Sequence, residues 1–306
     1  MVEIGRFALM TLTTTFNMLA KMKLMNINLE KIKLFCLSVI GQIYNSFPQE
    51  SKKSIESSRY IISLTSYSRR FKTLHLTLES LLRQSLPPRN IYLWLSEEDI
   101  KKNKGVPKKI LSLQKRGLII IIKDENIRSY KKLSYIEEVL SPDISHVITA
   151  DDDILYPKYW AKELIDTSTK HNCVSCFRGH NFIISNDIYD YKHAIKNNIT
   201  KNLPSYNLIP TGCSGIAYPK NSISSLVSNK NLFQELSPDT DDIWYKMMTL
   251  SKNYKCCRVN NNNIHFPIVI QSLGDSLFSK NIYQNHNEIN LKKTISYFNF
   301  KHFFKL

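Results

Sequence analysis

Residues 147–157 read Val147-Ile148-Thr149-Ala150-Asp151-Asp152-Asp153-Ile154-Leu155-Tyr156-Pro157. An apolar strand runs directly into three consecutive carboxylates, and an aromatic-proline turn follows. Three adjacent like charges repel, but a divalent cation among them makes the arrangement favourable, because hard oxygen ligands suit Mg²⁺ and Mn²⁺. At the carboxyl end of a strand, the cluster would face the crevice in which open α/β sheets bind ligands. The alternative is a solvated acidic turn.

Strands and helices alternate around this stretch. Strands are predicted at 60–64, 91–95, 118–122, 145–150 and 173–177, and helices at 74–84, 107–115, 132–140, 158–166 and 241–250. This alternation predicts an α/β domain with a mostly parallel, Rossmann-like sheet and flanking helices. Neither GxGxxG nor GxxxxGK[ST] occurs, which argues against dinucleotide binding and P-loop chemistry.

The charge of the chain indicates an anionic partner. Its 306 residues carry a formal net charge of +16, which suits nucleic acid, an acidic membrane surface or a phosphorylated substrate. The cations are scattered rather than gathered in arginine-rich runs, and this weakens the nucleic-acid interpretation. Of six cysteines, Cys173 and Cys176 have zinc-like spacing, but no second pair completes a tetrahedral site, so free thiols are expected.

Both ends of the chain combine apolar and basic residues. No secretory signal is evident, and no apolar run approaches the roughly 20 residues that span a bilayer. We divide the chain into a basic, amphipathic extension with its linker (1–58), a central domain (59–290) and a basic aromatic tail (291–306). Either end could lie in a membrane interface, or could pack on the domain or fray.

A second acidic pair, Asp241-Asp242, stands at the start of a predicted helix. Carboxylates there can act as caps, but three acids within four residues exceed that need, so Asp242 is equally a candidate base. Gly212 and Gly215 lie between the two acidic groups and would let the backbone approach a ligand, with a plain turn as the alternative.

Several cations follow or precede the predicted strands. If these cations lie at the same sheet edge as a bound metal, they would neutralise the charge of a diphosphate. The alternative is that they form a solvated helix face. They are Arg69, Arg70, Arg128, Lys131 and Lys132.

Seven segments, in order, resemble bacterial glycosyltransferases of surface-polysaccharide gene clusters. The resemblance covers about residues 60–290, and two acidic pieces are also similar to family 2 and exostosin-like enzymes. The segments are Leu64–Arg70, Ser80–Gln84, Tyr92–Ser96, Tyr130–Leu133, Thr149–Pro157, Thr211–Gly215 and Asp241–Trp244.

This resemblance implies a GT-A fold, a nucleoside-diphosphate sugar donor, with a UDP-sugar as the first candidate, and Mn²⁺ or Mg²⁺ as the cofactor. It implies a saccharide or lipid-linked acceptor, in lipopolysaccharide, O-antigen or capsule synthesis at the inner face of the cytoplasmic membrane. The implied metal ligands are Asp153 and Asp151 of the Asp-x-Asp motif, with His265. The implied donor-binding residues are Thr65, Ser66, Tyr67, Arg70, Lys132, Asp151 and Asp152. The implied catalytic pair is Asp242 and Asp241, and the implied acceptor-binding residues are Gly212, Gly215 and Trp244.

Two positions depart from the family's pattern. Ser68 replaces a usual proline, and the late Asn-Asp element becomes Asn285-His286-Asn287-Glu288. The resemblance leaves retention and inversion of the anomeric centre both open. Two other functions compete with glycosyl transfer. A sugar nucleotidyltransferase would need a glycine-rich, lysine-bearing first loop that is missing here. A basic nucleic-acid- or membrane-binding module conflicts with acidic clusters at the expected ligand edge.

Overall fold

Four apolar segments form adjacent parallel strands. The computed structural model describes residues 29–47, 57–184, 189–196, 202–272 and 286–304. All side chains of the first and fourth strands are buried, as expected for strands covered on both faces. The strands lie in the order β3-β2-β1-β4. They are β1 (Tyr60–Thr65), β2 (Ile91–Ser96), β3 (Leu118–Lys123) and β4 (His146–Ala150), all predicted from the sequence.

The sheet continues beyond β4 with a change of strand direction. The full order is β3-β2-β1-β4-β8-β5-β9, and β8 runs antiparallel to both β4 and β5. Strand β5 was predicted, whereas β8 and β9 lie where the sequence showed no clear pattern. A separate antiparallel pair is formed by β6 and β7. The strands are β5 (Val174–Cys176), β6 (Gly179–Asn181), β7 (Leu208–Pro210), β8 (Ile216–Pro219) and β9 (Cys256–Arg258).

Strand direction brings several loops to one edge of the sheet. Leu64 of β1 lies opposite Ala150 of β4, so the chain leaves both strands at the same level. Thr149 pairs with Ile216, and the antiparallel β8 therefore begins at the edge where β4 ends. The first loop, the three aspartates and the glycine turn thus meet there.

Helices cover both faces of the sheet, and none within the described ranges is long and apolar enough to cross a membrane. On one face Leu74, Leu78 and Trp160 pack on the strands. The other face carries Ile243 and Met247. The helices are α1 (Leu29–Ser46), α2 (Leu74–Leu82), α3 (Glu97–Asn103), α4 (Lys108–Leu111), α5 (Lys131–Ser134), α6 (Trp160–His171), α7 (Tyr191–Lys196), α8 (Lys230–Leu236), α9 (Asp241–Leu250) and α10 (His286–Phe298).

Two predicted helices are shorter than expected. The helix predicted at 132–140 ends as α5 at Ser134, because Tyr135 leaves helical geometry and packs against Trp94, with ring centroids 5.6 Å apart. The helix predicted at 107–115 is only α4, which tightens into a 3₁₀ turn. Gly117, with φ of 101°, ends that turn.

The C-terminal segment belongs to the core where it is described. Leu291 and Ile295 of α10 and the later Phe304 are fully buried. The domain boundary that we placed at residue 290 therefore falls inside α10. Most of the linker at 51–58, and Asn285 of the departing late element, lie outside the described residues. All six cysteines carry free thiols.

Candidate active site

Backbone hydrogen bonds hold the three aspartates in place at the end of β4. The Tyr156 hydroxyl accepts from the amide of Asp151 at 2.9 Å, and Thr77 donates to the carbonyl of Asp152 at 3.0 Å. The amide of Val269 donates to the carbonyl of Asp153 at 2.7 Å. The turn is therefore a fixed element of the fold rather than a loosely solvated one.

Arg70 and Ser66 of the first loop contact two of the three carboxylates. Arg70 Nη1 lies 2.6 Å from Asp153 Oδ2 and 3.8 Å from Asp152 Oδ1, and the Ser66 hydroxyl donates to Asp152 Oδ2 at 2.5 Å. Burial raises the pKa of Asp152 to about 7, and the charge of Asp153 adds to the rise while Arg70 opposes it. Burial and the charge of Asp151 likewise raise the pKa of Asp153. Crowded carboxylates of this kind favour a nearby positive charge.

Lys132 connects the two acidic groups. Its Nζ lies 2.5 Å from Asp151 Oδ1 and 3.7 Å from Asp241 Oδ2. Burial favours the neutral amine, but the charges of Asp151, Asp241 and Asp242 outweigh it and hold the pKa of Lys132 well above its usual value. The buried hydroxyl of Ser63 on β1 donates to the Lys132 carbonyl at 2.5 Å and fixes its backbone. Lys132 is therefore a positioned, permanent cation.

Asp242 is held in place by the glycine turn. The amide of Gly212 donates to both carboxylate oxygens of Asp242, at 3.0 and 3.1 Å. Burial raises the pKa of Asp242 to about 7, and the charge of Asp241 adds to the rise while Lys132 opposes it. A carboxylate with a pKa near neutrality is suited to accept a proton.

Gly212 marks the point at which these groups converge. A Cβ built on it would lie 3.1 Å from Asp242 Oδ1, 3.7 Å from Lys132 Nζ and 3.8 Å from Asp151 Oδ1. Three charged groups from β4, α5 and α9 thus surround one small residue. A side chain there would occupy the space between them, so the site itself requires a small residue at this position.

Gly215 serves packing instead. Its φ is +89°, and a Cβ there would lie 2.4 Å from the ring of Trp160, whose Nε1 donates to the Ser214 carbonyl at 2.8 Å. Trp244 is fully buried and donates to the carbonyl of Val227. The Trp244 side chain therefore has no exposed surface in this structure, and its acceptor-binding role stays a prediction.

Hydrogen bonds hold the first loop in place, and one of them is accepted by Asp99, which was not among the predicted site residues. The Thr65 hydroxyl donates to the carbonyl of Trp94 at 2.8 Å, and Tyr67 lies beside the Arg70 guanidinium, 5.7 Å from the ring centroid. The buried Asp99 accepts from the Ser68 amide at 3.0 Å. Ser96 caps α3 by accepting from the amide of Asp99. The Ser-x-x-acid spacing of a capping box was the available signal.

Lys131 and Arg128 pair with groups other than the three aspartates that follow β4. Lys131 donates to Asn126 at 2.7 Å, and burial lowers its pKa to about 8. Arg128 pairs with Asp239 at the surface, 2.7 Å away. The buried Arg178, which no sequence motif indicated, donates to Thr211 Oγ1 at 2.8 Å and so places positive charge beside the glycine turn.

His265 lies on a segment that runs beside the aspartates, but its side chain is exposed. That segment is held by the Leu155 amide, which donates to the Pro267 carbonyl at 2.8 Å. Across the residues for which the structure gives positions, no three His, Cys, Asp or Glu side chains are grouped to hold a metal ion. The role of His265 as a metal ligand stays a prediction.

No protein-family model matches the chain, and no curated protein matches it. Solved structures do. The mannosyltransferase PcManGT from Pyrobaculum calidifontis, in complex with GDP-Man and Mn²⁺, aligns with a TM-score of 0.50 over 87% of this chain and 74% of that one, at 12% identity. TarS (residues 1–349) from S. aureus aligns with a TM-score of 0.39 over 65% of this chain and 57% of that one, at 15% identity.

A 4-diphosphocytidyl-2C-methyl-D-erythritol synthase from Anaerococcus prevotii also aligns, with a TM-score of 0.42 over 76% of this chain and 100% of that one, at 14% identity. The TarS and synthase alignments both have TM-scores below 0.5. The alignment with the mannosyltransferase, together with the sheet order, shows that the chain has the GT-A fold predicted from the sequence. At 12% identity it shows the fold alone.

Proposed function

We propose that the protein is a metal-dependent glycosyltransferase that takes a sugar from a nucleoside-diphosphate sugar. The observation that carries the proposal is the convergence of Asp151, Lys132 and Asp242 around Gly212, at the sheet edge where Asp153 meets Arg70. The Lys132 cation suits the negative charge of a departing diphosphate, and the Asp242 carboxylate suits the hydroxyl of an acceptor.

The carboxylates fit a divalent cation bound together with the donor. Asp151 and Asp153 keep 26% and 24% of their side-chain surface exposed, so each can offer oxygen to a ligand. Arg70, 2.6 Å from Asp153, marks a position where positive charge is favoured. Mg²⁺ in proteins commonly takes one or two carboxylates, with water and substrate phosphates completing its shell. Bound Mn²⁺ or Mg²⁺ would supply Lewis-acid stabilisation of the developing diphosphate charge.

The chain's own residues divide the remaining work. Lys132, charged and fixed, stabilises the negative charge of the leaving diphosphate. Ser66, Tyr67 and Arg70 of the first loop border the same edge, and Thr65 secures that loop to β2. Asp242 accepts the proton of the acceptor hydroxyl, or steadies an oxocarbenium-like centre, and Asp241 keeps its pKa high.

The acceptor in this proposal is a saccharide or a lipid-linked saccharide of bacterial surface-polysaccharide synthesis, with UDP-sugar as the first donor to test. The net charge of +16 supports an anionic donor and a peripheral position on the inner face of an anionic membrane.

Thermal unfolding with a panel of nucleotide sugars, with and without Mn²⁺, tests this function. A ligand at about 100 times its Kd stabilises the native state by roughly 2.7 kcal/mol. We expect one sugar nucleotide to raise the Tm only with Mn²⁺, and Asp153→Asn to abolish that shift. The matched control is Asp166→Asn, at an exposed aspartate that pairs with Lys162 on α6.

A Tm shift that is equal in Asp153→Asn and wild type would contradict the proposed donor site. Release of inorganic pyrophosphate from a nucleoside triphosphate and a sugar phosphate would instead identify a sugar nucleotidyltransferase.

A further inference from the structure

Helix α1 packs on the domain through the middle and the end of one face. Ser38, Gly41 and Asn45 follow the three- and four-residue spacing of that face, and Ser38 and Asn45 are buried, as is Ile32 near the start of the helix. Ser38 Oγ accepts from the Ile268 amide at 3.1 Å. A Cβ on Gly41 would lie 2.9 Å from Leu155 Cδ1, so glycine lets the helix come close. The helix therefore docks beside the turn that carries the three aspartates.

The end of α1 is held by a buried arginine. Arg83 of the segment after α2 donates to the carbonyls of Tyr44 and Phe47, and its guanidinium lies 4.4 Å from the Tyr44 ring centroid. These bonds satisfy carbonyls that a helix end leaves without intrahelical partners. Because the helix is fixed at its middle and its end, its outer face has a defined position on the molecule.

That outer face is apolar and exposed. Its large side chains recur at three- and four-residue spacing, so they share one side of the helix. Soluble surfaces seldom gather so many large apolar groups without a partner. They are Leu29 (59% exposed), Leu37 (42%), Ile40 (56%), Ile43 (52%), Tyr44 (42%) and Phe47 (65%).

Cations and aromatic rings border this face. Lys33 is exposed on the same outer face, and Lys158 Nζ lies 5.9 Å from the Tyr44 ring. Tyr159, next to Lys158, is 47% exposed. Insertion of apolar groups beside lysines and aromatic rings is how amphipathic helices bind anionic lipid. A second copy of the chain would instead bring the same lysines against one another.

We propose that the outer face of α1 is the surface by which the protein docks on an anionic lipid bilayer. This inference rests on the proposed function, because it assigns a surface to the peripheral membrane contact proposed there. Since α1 touches Leu155, two residues after Asp153, a bilayer on the outer face would lie about one helix diameter, roughly 10 Å, from the acidic edge. A lipid-linked acceptor would then reach the site from the membrane surface.

Co-sedimentation of the full chain with vesicles tests the surface without donor or metal, so its outcome is independent of glycosyl transfer. The vesicles are phosphatidylcholine alone or with about one-third phosphatidylglycerol. We expect binding to the anionic vesicles, and at least about a tenfold loss of partitioning in the triple variant Ile40→Ser, Ile43→Ser, Phe47→Ser, because the inserted apolar surface is removed. The control removes three other exposed apolar groups, which lie outside α1, through Ile122→Ser, Leu203→Ser and Leu226→Ser.

Light scattering and thermal unfolding of both variants complete the design. An unchanged Tm in the α1 variant, with reduced binding, supports the surface. Equal binding by the α1 variant and wild type would overturn it, even if the chain binds vesicles through another segment. A wild-type dimer that the α1 substitutions dissociate would assign this face to self-association and also overturn it.

Discussion

Replacing Lys132 by methionine removes the cation that joins the two acidic groups. Lys132 Nζ lies 2.5 Å from Asp151 and 3.7 Å from Asp241. Breaking a buried pair by removing one partner costs about 3–5 kcal/mol. Because Asp151 keeps 26% of its side-chain surface exposed, water offsets part of this loss, and we expect about 2–3 kcal/mol. The Tm should fall by roughly 5–10 °C.

A second substitution separates stability from catalysis. In Lys132→Met combined with Asp151→Asn, no charge is left unpaired at that contact, and most of the lost stability should return. The rate of sugar transfer should stay at least about 10²–10³-fold below wild type, because the departing diphosphate still lacks the Lys132 cation and the proposed metal site has also lost the Asp151 carboxylate. Urea unfolding and single-turnover kinetics on the same preparations measure the two quantities.

The neighbouring lysine supplies the control. Lys131 is equally buried on α5, but it donates to the neutral amide oxygen of Asn126 at 2.7 Å. Lys131→Met should cost about 1 kcal/mol, the net value of one hydrogen bond, and should leave catalysis near wild type. If Lys132→Met were as stable and active as Lys131→Met, the ion-pair network described for this site would be refuted.

Two further predictions concern the base and the glycine turn. Since burial and Asp241 raise the pKa of Asp242 to about 7, and a protonated carboxyl accepts no proton, kcat/KM should fall about tenfold per pH unit below about 7. Asp242→Asn should lie at least about 10²-fold below wild type, whereas a flat profile between pH 5 and 8 would exclude Asp242 as the base. Gly215→Ala should cost about 2–4 kcal/mol, because both its positive φ and the Trp160 ring oppose a side chain. Gly105→Ala, at φ +113° in open space, should cost only about 1–2 kcal/mol. Equal losses by denaturant unfolding would remove the packing role of Trp160.

The sequence predicted the strands that build the ligand edge because each is a short apolar run that ends in turn residues. It also predicted α9 at 241–250 as the structure has it. Strand β8 went unrecognised, because four residues ending at Pro219 carry too little pattern to distinguish a strand from a loop. Its antiparallel direction depends on pairing with β4, which is a property of the assembled sheet.

Some residues of the candidate site could be predicted from the sequence, and others could not. Asp151 and Asp153 were chosen as metal ligands, Lys132 as a diphosphate-facing cation, Asp242 as a candidate base and Gly212 because glycine lets the backbone approach a ligand. Asp151, Lys132, Asp242 and Gly212 meet in the structure within a few ångströms. Trp244 was chosen from its place in a motif, but α9 is buried on all sides from Ile243 to Leu250, and Trp244 packs there without exposed surface. The capping-box spacing was a local signal for Asp99, but its contact with Ser68 and the contact of Arg178 with Thr211 join distant segments, so local sequence could not reveal these two contacts.

Release of nucleoside diphosphate from UDP-sugars, measured with and without Mn²⁺, tests the central claim most directly. We expect Mn²⁺-dependent release by wild type, accelerated by the correct saccharide acceptor and lost in Asp153→Asn. Asp166→Asn should behave as wild type. Release that proceeds equally in the metal chelator EDTA, or that survives unchanged in Asp153→Asn, would contradict a metal-assisted sugar-nucleotide site at the end of β4.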